Sequence, residues 1–268
     1  MLYIIATPIG NLDDITIRAL NTLREVDVIY AEDTRHTKKL LDHHSISIEG
    51  RSLMSCFEHN EDARSKQVLG QLATGQSVAL VSDAGTPTIS DPGFRLVRAT
   101  WEAGFTVVPI PGPCAAIAGL SASGLPTDRF TFVGFPPKKS GARRRWLDEL
   151  STAPGTLVLY AAGREVGKIL DDLIELRADP EVVVFREITK RYEECLRGTA
   201  SEVSANWAEN PRKGEVTLMA GRGAQRDFDD AYLMELLRSD RVKDVAENTG
   251  VSKRRLYQLS LLLKNEEE

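Results

Sequence analysis

Residues 80–93, which read LVSDAGTPTISDPG, have the composition of a ligand-binding loop. The segment leaves an apolar strand predicted over residues 78–82 and carries two acids, Asp83 and Asp91, together with hydroxyls, prolines and glycines. A helix is predicted to begin near Pro92, because proline is favoured in the first turn of a helix. Carboxylates, hydroxyls and backbone amides can all hydrogen-bond a polar ligand, so this loop is the first candidate site.

Two shorter loops resemble it, because each also follows an apolar strand. They read TPIGN (residues 7–11, after LYIIA) and PGPCAA (residues 111–116, after FTVVPI). In an open α/β sheet the loops at the carboxyl ends of parallel strands lie along one edge, where ligands bind. Glycine and proline that merely mark turns would explain any one of these loops. The three together predict a shared site.

The composition of these loops limits the ligand. The chain has neither the G-x-G-x-x-G turn of dinucleotide-binding folds after its first strand nor the G-x-x-x-x-G-K-S/T phosphate loop. The loops offer acids, hydroxyls and backbone amides, which suit an amino-acid tail and an adenosine without phosphates. S-adenosylmethionine is therefore a candidate cofactor.

A fourth loop, AEDTRHT (residues 31–37), follows the second predicted strand and carries two adjacent acidic residues close to an arginine. Transfer of a methyl group to a weak nucleophile needs alignment and removal of a proton. Asp33 and Glu32 are the candidate proton acceptors, ranked above His36, and Arg35 is a candidate substrate clamp. The structural alternative is a capped helix start with a local acid–arginine pair.

Four further residues are candidates for holding or activating the substrate. Asn11 and Arg18 could bind phosphate or ribose. Lys190 could bind phosphate or lower the pKa of the acceptor hydroxyl, and Lys213 is a similar candidate.

A basic segment at residues 138–145, KKSGARRR, stands out in a chain whose net charge is -5. Affinity for nucleic acid comes largely from Lys and Arg, and a dense positive patch on an acidic protein indicates where that affinity lies. We predict an RNA-binding surface made by the five basic residues of the segment: Lys138, Lys139, Arg143, Arg144 and Arg145. Smaller basic clusters at residues 190–191 and 253–255 are more typical of solvated surface.

The composition, 42% hydrophobic and 27% charged over 268 residues, is that of a globular protein with more than one domain. No apolar run approaches the ~20 residues that span a bilayer, and no targeting segment is apparent, which predicts a cytosolic protein. The three cysteines are isolated in sequence, so neither a disulfide framework nor a metal site is expected.

Strands and helices alternate along most of the chain, which predicts an α/β fold. We predict an N-terminal α/β domain over residues 1–124, a second α/β domain over 125–226 and a helical tail over 227–268. The tail has the proportions of a helix-turn-helix, a motif that serves as often in packing or dimerisation as in nucleic-acid recognition.

Five segments of the chain resemble the tetrapyrrole methylase family and, within it, the branch that methylates ribosomal RNA. They read TPIGNLDDITIRAL, AEDTRHT, LVSDAGTPTISDPGFRLV, PIPGPCAAIAGLSASGLPTDRF and RKGE. This resemblance implies the class III fold of S-adenosylmethionine-dependent methyltransferases, with the cofactor in a cleft between two α/β domains. It also implies a homodimer and, as reaction, 2'-O-methylation of a decoding-centre cytidine in small-subunit (16S) ribosomal RNA, either naked or in the assembled subunit.

The same resemblance implies a set of cofactor-binding positions, carried over where this chain matches the family motifs: Pro8, Gly10, Val81, Ser82, Asp83, Thr86, Cys114, Ala115, Tyr160, Ala161 and Ile188. The string YAAGRE at residues 160–165 departs from the acidic, His-containing pattern of the RNA branch.

Two other functions remain open on the residues. One is a small-molecule methylase of the same fold that acts on a tetrapyrrole, whose carboxylates would also attract the arginines. The other is a non-catalytic RNA-binding protein that kept the fold.

Overall fold

The computed structural model describes residues 1–151, 153–222, 229–249 and 251–266. Contacts divide the chain into two compact units, Met1–Ala122 with Phe185–Glu194, and Ser123–Val184 with Cys195–Glu268. Both contain a five-stranded sheet and helices, and three helices follow the last strand. The predicted α/β class, with a helical tail, is confirmed.

The first unit is built on a wholly parallel sheet in the order β3-β2-β4-β1-β5. Its strands are β1 (Leu2–Ile5), β2 (Val28–Ala31), β3 (Ser52–Ser55), β4 (Val78–Val81) and β5 (Val107–Ile110). The helices are α1 (Ile17–Glu25), α2 (Thr34–His43), α3 (Glu61–Ala73), α4 (Phe94–Glu102) and α5 (Ala115–Ser123). Every residue of β2 and β4 is buried, as expected for parallel strands covered on both faces. All the strand-to-helix loops therefore leave the sheet at one edge.

Three local features of this unit were not predicted from the sequence. Strand β3, SLMS, lacks the apolar run that would have predicted it. Helix α1 is capped by Thr16, whose side chain accepts from the Ala19 amide, and Asp13 and Asp14 lie in a short 3-10 turn before it. Helix α4 begins only at Phe94, because its cap Gly93 has a φ of 121°, outside the helical region.

The second unit has a mixed sheet in the order β6-β7-β10-β8-β9. Its strands are β6 (Phe130–Phe132), β7 (Thr156–Ala162), β8 (Glu181–Arg186), β9 (Glu194–Thr199) and β10 (Glu215–Ala220). Helices α6 (Ser140–Ser151), α7 (Gly163–Leu176) and α8 (Ala200–Glu209) accompany them. Leucine, isoleucine and valine side chains from the strands and from α7, together with Trp207, form one core.

The segment Phe185–Glu194, which contains the end of β8, the β8–β9 connection and the first residue of β9, groups with the first unit, whereas the sequence predicts it inside the second domain. Sequence order alone cannot reveal this grouping, because the segment makes its contacts with residues more than 170 positions away, such as Asn11.

The tail consists of helices α9 (Asp230–Ser239), α10 (Val242–Thr249) and α11 (Lys253–Glu266). They share a small core that includes Leu233, Val245 and Leu256. The predicted boundary between residues 226 and 227 lies outside the described residues. Among the helices described, none combines the length and the apolarity needed to span a membrane.

Candidate functional site

The three glycine- and proline-containing loops of the first unit meet, as predicted. Thr7 and Gly85 exchange two backbone hydrogen bonds of 2.8 and 2.9 Å, which join the loop after β1 to the loop after β4. The Thr7 hydroxyl donates to the Ser82 carbonyl at 3.0 Å. The Thr86 hydroxyl donates to the Pro113 carbonyl at 3.0 Å, which adds the loop after β5. The loops therefore form one hydrogen-bonded cluster at the carboxyl edge of the sheet.

Two glycines allow this close packing. Gly85 adopts a φ of 83°, a left-handed conformation that favours glycine. A Cβ on Gly112 would lie 2.9 Å from the Ala6 Cβ, so the backbone can approach β1 only without a side chain. The positions predicted to bind cofactor in these loops fall into two groups: Pro8, Val81 and Ser82 are buried, whereas Asp83, Thr86, Cys114 and Ala115 are partly exposed and Gly10 is exposed.

Asp83 links the loop after β4 to the loop after β2. Its Oδ1 accepts from the Asp33 amide at 2.9 Å, and its Oδ2 lies 3.0 Å from Nδ1 of His36. The Asp83 amide in turn points at the Glu32 carboxylate, with a nitrogen–oxygen distance of 3.5 Å. In the described residues, Asp33, His36 and Asp83 are the one group whose ligand atoms come close enough to hold a metal ion, and their own hydrogen bonds account for that grouping.

Burial perturbs two carboxyl groups beside Asp83. Burial, and then the negative charge of Asp83, raises the pKa of Glu32. Burial, and then the charge of Glu32, raises the pKa of Asp91 to about 7, against a hydrogen bond with Ser82 that lowers it. The sequence placed Asp91 in the loop but gave it no role. Asp91 is partly buried, and because acids with raised pKa values cluster at functional sites, it joins the candidate residues.

Asp33 has the opposite environment, which changes the ranking of the candidate bases. Its carboxylate accepts from the side chain and the amide of Arg35, and this hydrogen bonding holds its pKa well below the usual range. A carboxylate stabilised in this way is a weak proton acceptor. Glu32, whose pKa is shifted upwards, is the better base. Arg35 is exposed but engaged with Asp33.

The β8–β9 connection brings Ile188 and Lys190 to the loop after β1. A Cβ on Gly10 would lie 3.1 Å from the Ile188 carbonyl oxygen and 2.5 Å from the Lys190 Cγ. The Lys190 ammonium is 3.3 Å from the Glu187 carboxylate. The side chain of Asn11 accepts from the Asp13 amide, and Arg18 is exposed on α1.

Tyr160 and Ala161 belong to the second unit. Ala161 is buried in β7 opposite Val216. The Tyr160 ring packs against the rings of Phe132 and Phe135, at centroid distances of 5.0 and 5.5 Å.

The basic segment of the second unit divides into exposed and paired residues. Lys138, Lys139 and Arg145 are exposed, as an RNA-binding surface requires. Arg143 is buried, and its Nε donates to Asp172 at 2.7 Å, so its guanidinium group is held inside the unit rather than exposed to a phosphate. Arg144 is partly exposed and pairs with both Asp172 and Glu175. Only part of the segment can meet a phosphate.

Comparison with known proteins defines the class. A model of the tetrapyrrole (corrin/porphyrin) methylases matches residues 1–204. A cobalt precorrin-4 methyltransferase of cobalamin biosynthesis superposes with a TM-score of 0.61 at 20% identity, covering 82% of this chain and 94% of that one. A uroporphyrin-III C-methyltransferase from Thermus thermophilus, solved in complex with S-adenosyl homocysteine, gives a TM-score of 0.55 at 21% identity, covering 82% and 96%. These structures share the fold.

Curated relatives are much more similar in sequence. A ribosomal RNA small subunit methyltransferase I from Xylella fastidiosa is 45% identical over 96% of this chain and 97% of its own length. Proteins with the same name from Halalkalibacterium halodurans (42% identical, covering 96% of this chain and 93% of that protein) and Escherichia coli O157:H7 (44%, covering 97% and 94%) match equally widely. The chain therefore belongs to the tetrapyrrole methylases and, among them, to the ribosomal RNA small subunit methyltransferase I family.

Proposed function

We propose that this protein transfers a methyl group from S-adenosylmethionine to the ribose 2'-hydroxyl of a decoding-centre cytidine in small-subunit ribosomal RNA. The observation that carries the proposal is the cluster of three loops at the carboxyl edge of the first sheet, in a chain more than 40% identical to enzymes named for small-subunit ribosomal RNA. The nucleotide and the ribose position come from the resemblance of the loop motifs.

The loops fit the cofactor by their chemistry. TPIGN, SDAGTPTISDPG and PGPCAA contain no lysine or arginine, which suits a ligand without phosphates. The partly exposed carboxylate of Asp83 is placed to accept hydrogen bonds from an ammonium group or from ribose hydroxyls. The residues that would hold the cofactor are Pro8, Gly10, Ser82, Asp83 and Ala115, with Val81, Thr86, Cys114 and Ile188 around them. The family resemblance adds Tyr160 and Ala161 to this set.

The bound cofactor supplies an electrophilic methyl group on a sulfonium. The chain's own residues must then orient the ribose and accept its proton as the new carbon–oxygen bond forms. Glu32 takes the proton in this account, because its partial burial and the charge of Asp83 raise the pKa of its carboxyl. Asp91, with a pKa near 7, adds a second group that can hold a proton close to Glu32. Lys190, which pairs with Glu187 at 3.3 Å, is assigned to a phosphate of the substrate in this account.

The RNA side of the reaction is assigned to the exposed cations Lys138, Lys139 and Arg145. Their contribution is electrostatic, so it should fall as the salt concentration rises. Arg144 is held by two carboxylates and contributes less.

The direct test is to incubate the protein and S-adenosylmethionine with unmodified small ribosomal subunits and, separately, with their stripped RNA. A 2'-O-methyl group blocks alkaline cleavage, so the modified nucleotide appears as a gap in the hydrolysis ladder. One protected cytidine in the decoding region is expected on at least one of the two acceptors. Base methylation, or protection elsewhere, would contradict the proposed substrate. Cofactor binding without any transfer would favour the non-catalytic RNA-binding protein.

A further inference from the structure

The tip of the β8–β9 connection holds its backbone in a conformation that its residues rarely adopt. Glu187 and Thr189 have φ values of 51° and 66°. A β-branched residue such as threonine is a genuine outlier at positive φ, and such conformations persist only where the surroundings impose them. Because strained residues of this kind gather at functional sites, the segment calls for a functional explanation.

Hydrogen bonds inside the segment impose this conformation. The Thr189 amide donates to the Glu193 carboxylate. The Lys190 amide donates to the Glu187 carbonyl at 2.9 Å, and the Glu193 amide donates to the Lys190 carbonyl at 3.1 Å. The ion pair between Lys190 and Glu187, at 3.3 Å, closes the same turn. The tip is therefore a built structure rather than a loose connection.

This turn fixes the position of the Thr189 hydroxyl group. Thr189 Oγ1 accepts a hydrogen bond of 3.0 Å from the Asn11 amide. A Cβ on the neighbouring Gly10 would lie only 2.6 Å from the same oxygen, so the two backbones fit together only with glycine there. The loop after β1 is thus held at both ends, by Gly85 at Thr7 and by Thr189 at Asn11.

We propose that Thr189 is a positioning residue for cofactor binding, which acts by fixing the Gly10–Asn11 backbone through its hydroxyl oxygen. The inference rests on the proposed function, because Gly10 and its loop are assigned to S-adenosylmethionine there. The hydroxyl serves the loop rather than the reacting atoms. Its loss should weaken cofactor affinity and leave the rate at saturating cofactor nearly unchanged.

Four variants separate positioning from general stability. Thr189→Val keeps the shape but removes the acceptor, and Thr189→Ser keeps the acceptor. Thr189→Gly relieves the positive φ and also removes the acceptor. Thr74→Val is the matched control, because that exposed hydroxyl bonds only within its own helix end, to the Gln71 carbonyl at 2.8 Å.

The measurement is the dissociation constant of S-adenosylmethionine by calorimetry, with kcat at saturating cofactor and Tm for every variant. We expect the dissociation constant to rise about tenfold in Thr189→Val and Thr189→Gly, the effect of losing roughly one hydrogen bond in a site. Thr189→Ser and Thr74→Val should bind like the wild type. Thr189→Gly should keep a Tm at or above that of Thr189→Val and still bind the cofactor weakly. If Thr189 only stabilised the fold, a variant with the higher Tm would not bind weakly.

Wild-type affinity in Thr189→Val, or equal losses in Thr189→Ser and Thr189→Val, would overturn the inference and leave the proposed function intact. A wild-type protein that does not bind S-adenosylmethionine at all would instead overturn the proposed function. A fall in kcat with an unchanged dissociation constant would show that the hydroxyl acts on the reaction, which also contradicts a positioning role.

Discussion

Two regions of the sequence are dense in polar residues: the three-loop cluster of the first unit and the basic segment of the second unit. In the first, hydrogen bonds between loops leave the Asp83 carboxylate partly exposed beside two partly buried acids, Glu32 and Asp91. In the second, Arg143 lies in the interior and Arg144 is neutralised. In this chain the strand-end loops keep one carboxylate, Asp83, partly exposed, whereas the arginines of α6 divide between its exposed and its buried face.

The largest expected effect is on the buried ion pair. Arg143→Ala leaves the Asp172 carboxylate, of which 6% is exposed, with only the more distant Arg144 as partner. Removing one partner of a buried pair is strongly destabilising, so we expect a loss of about 3 kcal/mol in the free energy of unfolding. Urea denaturation measures it, with Arg145→Ala as the exposed control at near-wild-type stability. Equal stabilities of the two variants would contradict the claim that Arg143 lies on the buried face of α6 and Arg145 on its exposed face.

The second effect concerns the loop cluster. Asp83→Asn keeps an oxygen that can accept from the Asp33 amide but removes the negative charge. We expect S-adenosylmethionine affinity to fall about tenfold or more, since hydrogen bonds to a charged group contribute about 1.5–3 kcal/mol. Calorimetric titration measures it, and Asp62→Asn, which removes an exposed partner of Arg95, is the control. Unchanged affinity in Asp83→Asn would exclude this carboxylate from the site.

A smaller effect is expected on the pH dependence of stability, through the carboxyl group of Asp91 in the loop cluster. The pKa of Asp91 is raised to about 7, so the folded state binds this proton more tightly than the unfolded state and stability falls as the pH rises from about 4 to 7. Asp91→Asn should remove that loss and be more stable than the wild type by about 1–2 kcal/mol at pH 8, allowing for solvent screening. At pH 4 the two should be nearly equal. Denaturation curves across this pH range would contradict the account if the difference did not grow with pH.

The smallest effect falls on RNA. Lys138→Glu combined with Lys139→Glu should weaken binding of small-subunit RNA about tenfold at moderate salt and reduce the dependence of the affinity on salt concentration. Filter binding at several salt concentrations measures both. Charge reversal of Lys253 and Arg254, an exposed basic pair at the start of α11, is the control. An equal loss in the control would mean that the affinity reports net charge rather than a surface at residues 138–145.

Much of the fold and part of the site followed from the sequence for physical reasons. Apolar strands such as VALV, followed by glycine and proline, define both the sheet and the edge at which Thr7, Gly85 and Pro113 meet. Strand β3 was not predicted because SLMS has no apolar run. It lies at the edge of the sheet, where a strand is less completely covered and does not require one.

Other features were missed because they depend on contacts between distant residues. Thr189 reaches Asn11 across 178 positions, and nothing in the local sequence announces the contact. The raised pKa of Asp91 arises from burial and from Glu32, neither of which its own loop reveals. The burial of Arg143 did have a local signal, since Arg143 and Leu147 are four residues apart on α6 and share its buried face.

The most direct test of the account titrates S-adenosylmethionine into Asp83→Asn and into the Lys138→Glu, Lys139→Glu double variant under the same conditions. We predict that Asp83→Asn loses affinity about tenfold or more and that the double variant binds like the wild type, because the methyl donor belongs to the loop cluster. Wild-type affinity in Asp83→Asn, or an equal loss in the double variant, would contradict that assignment.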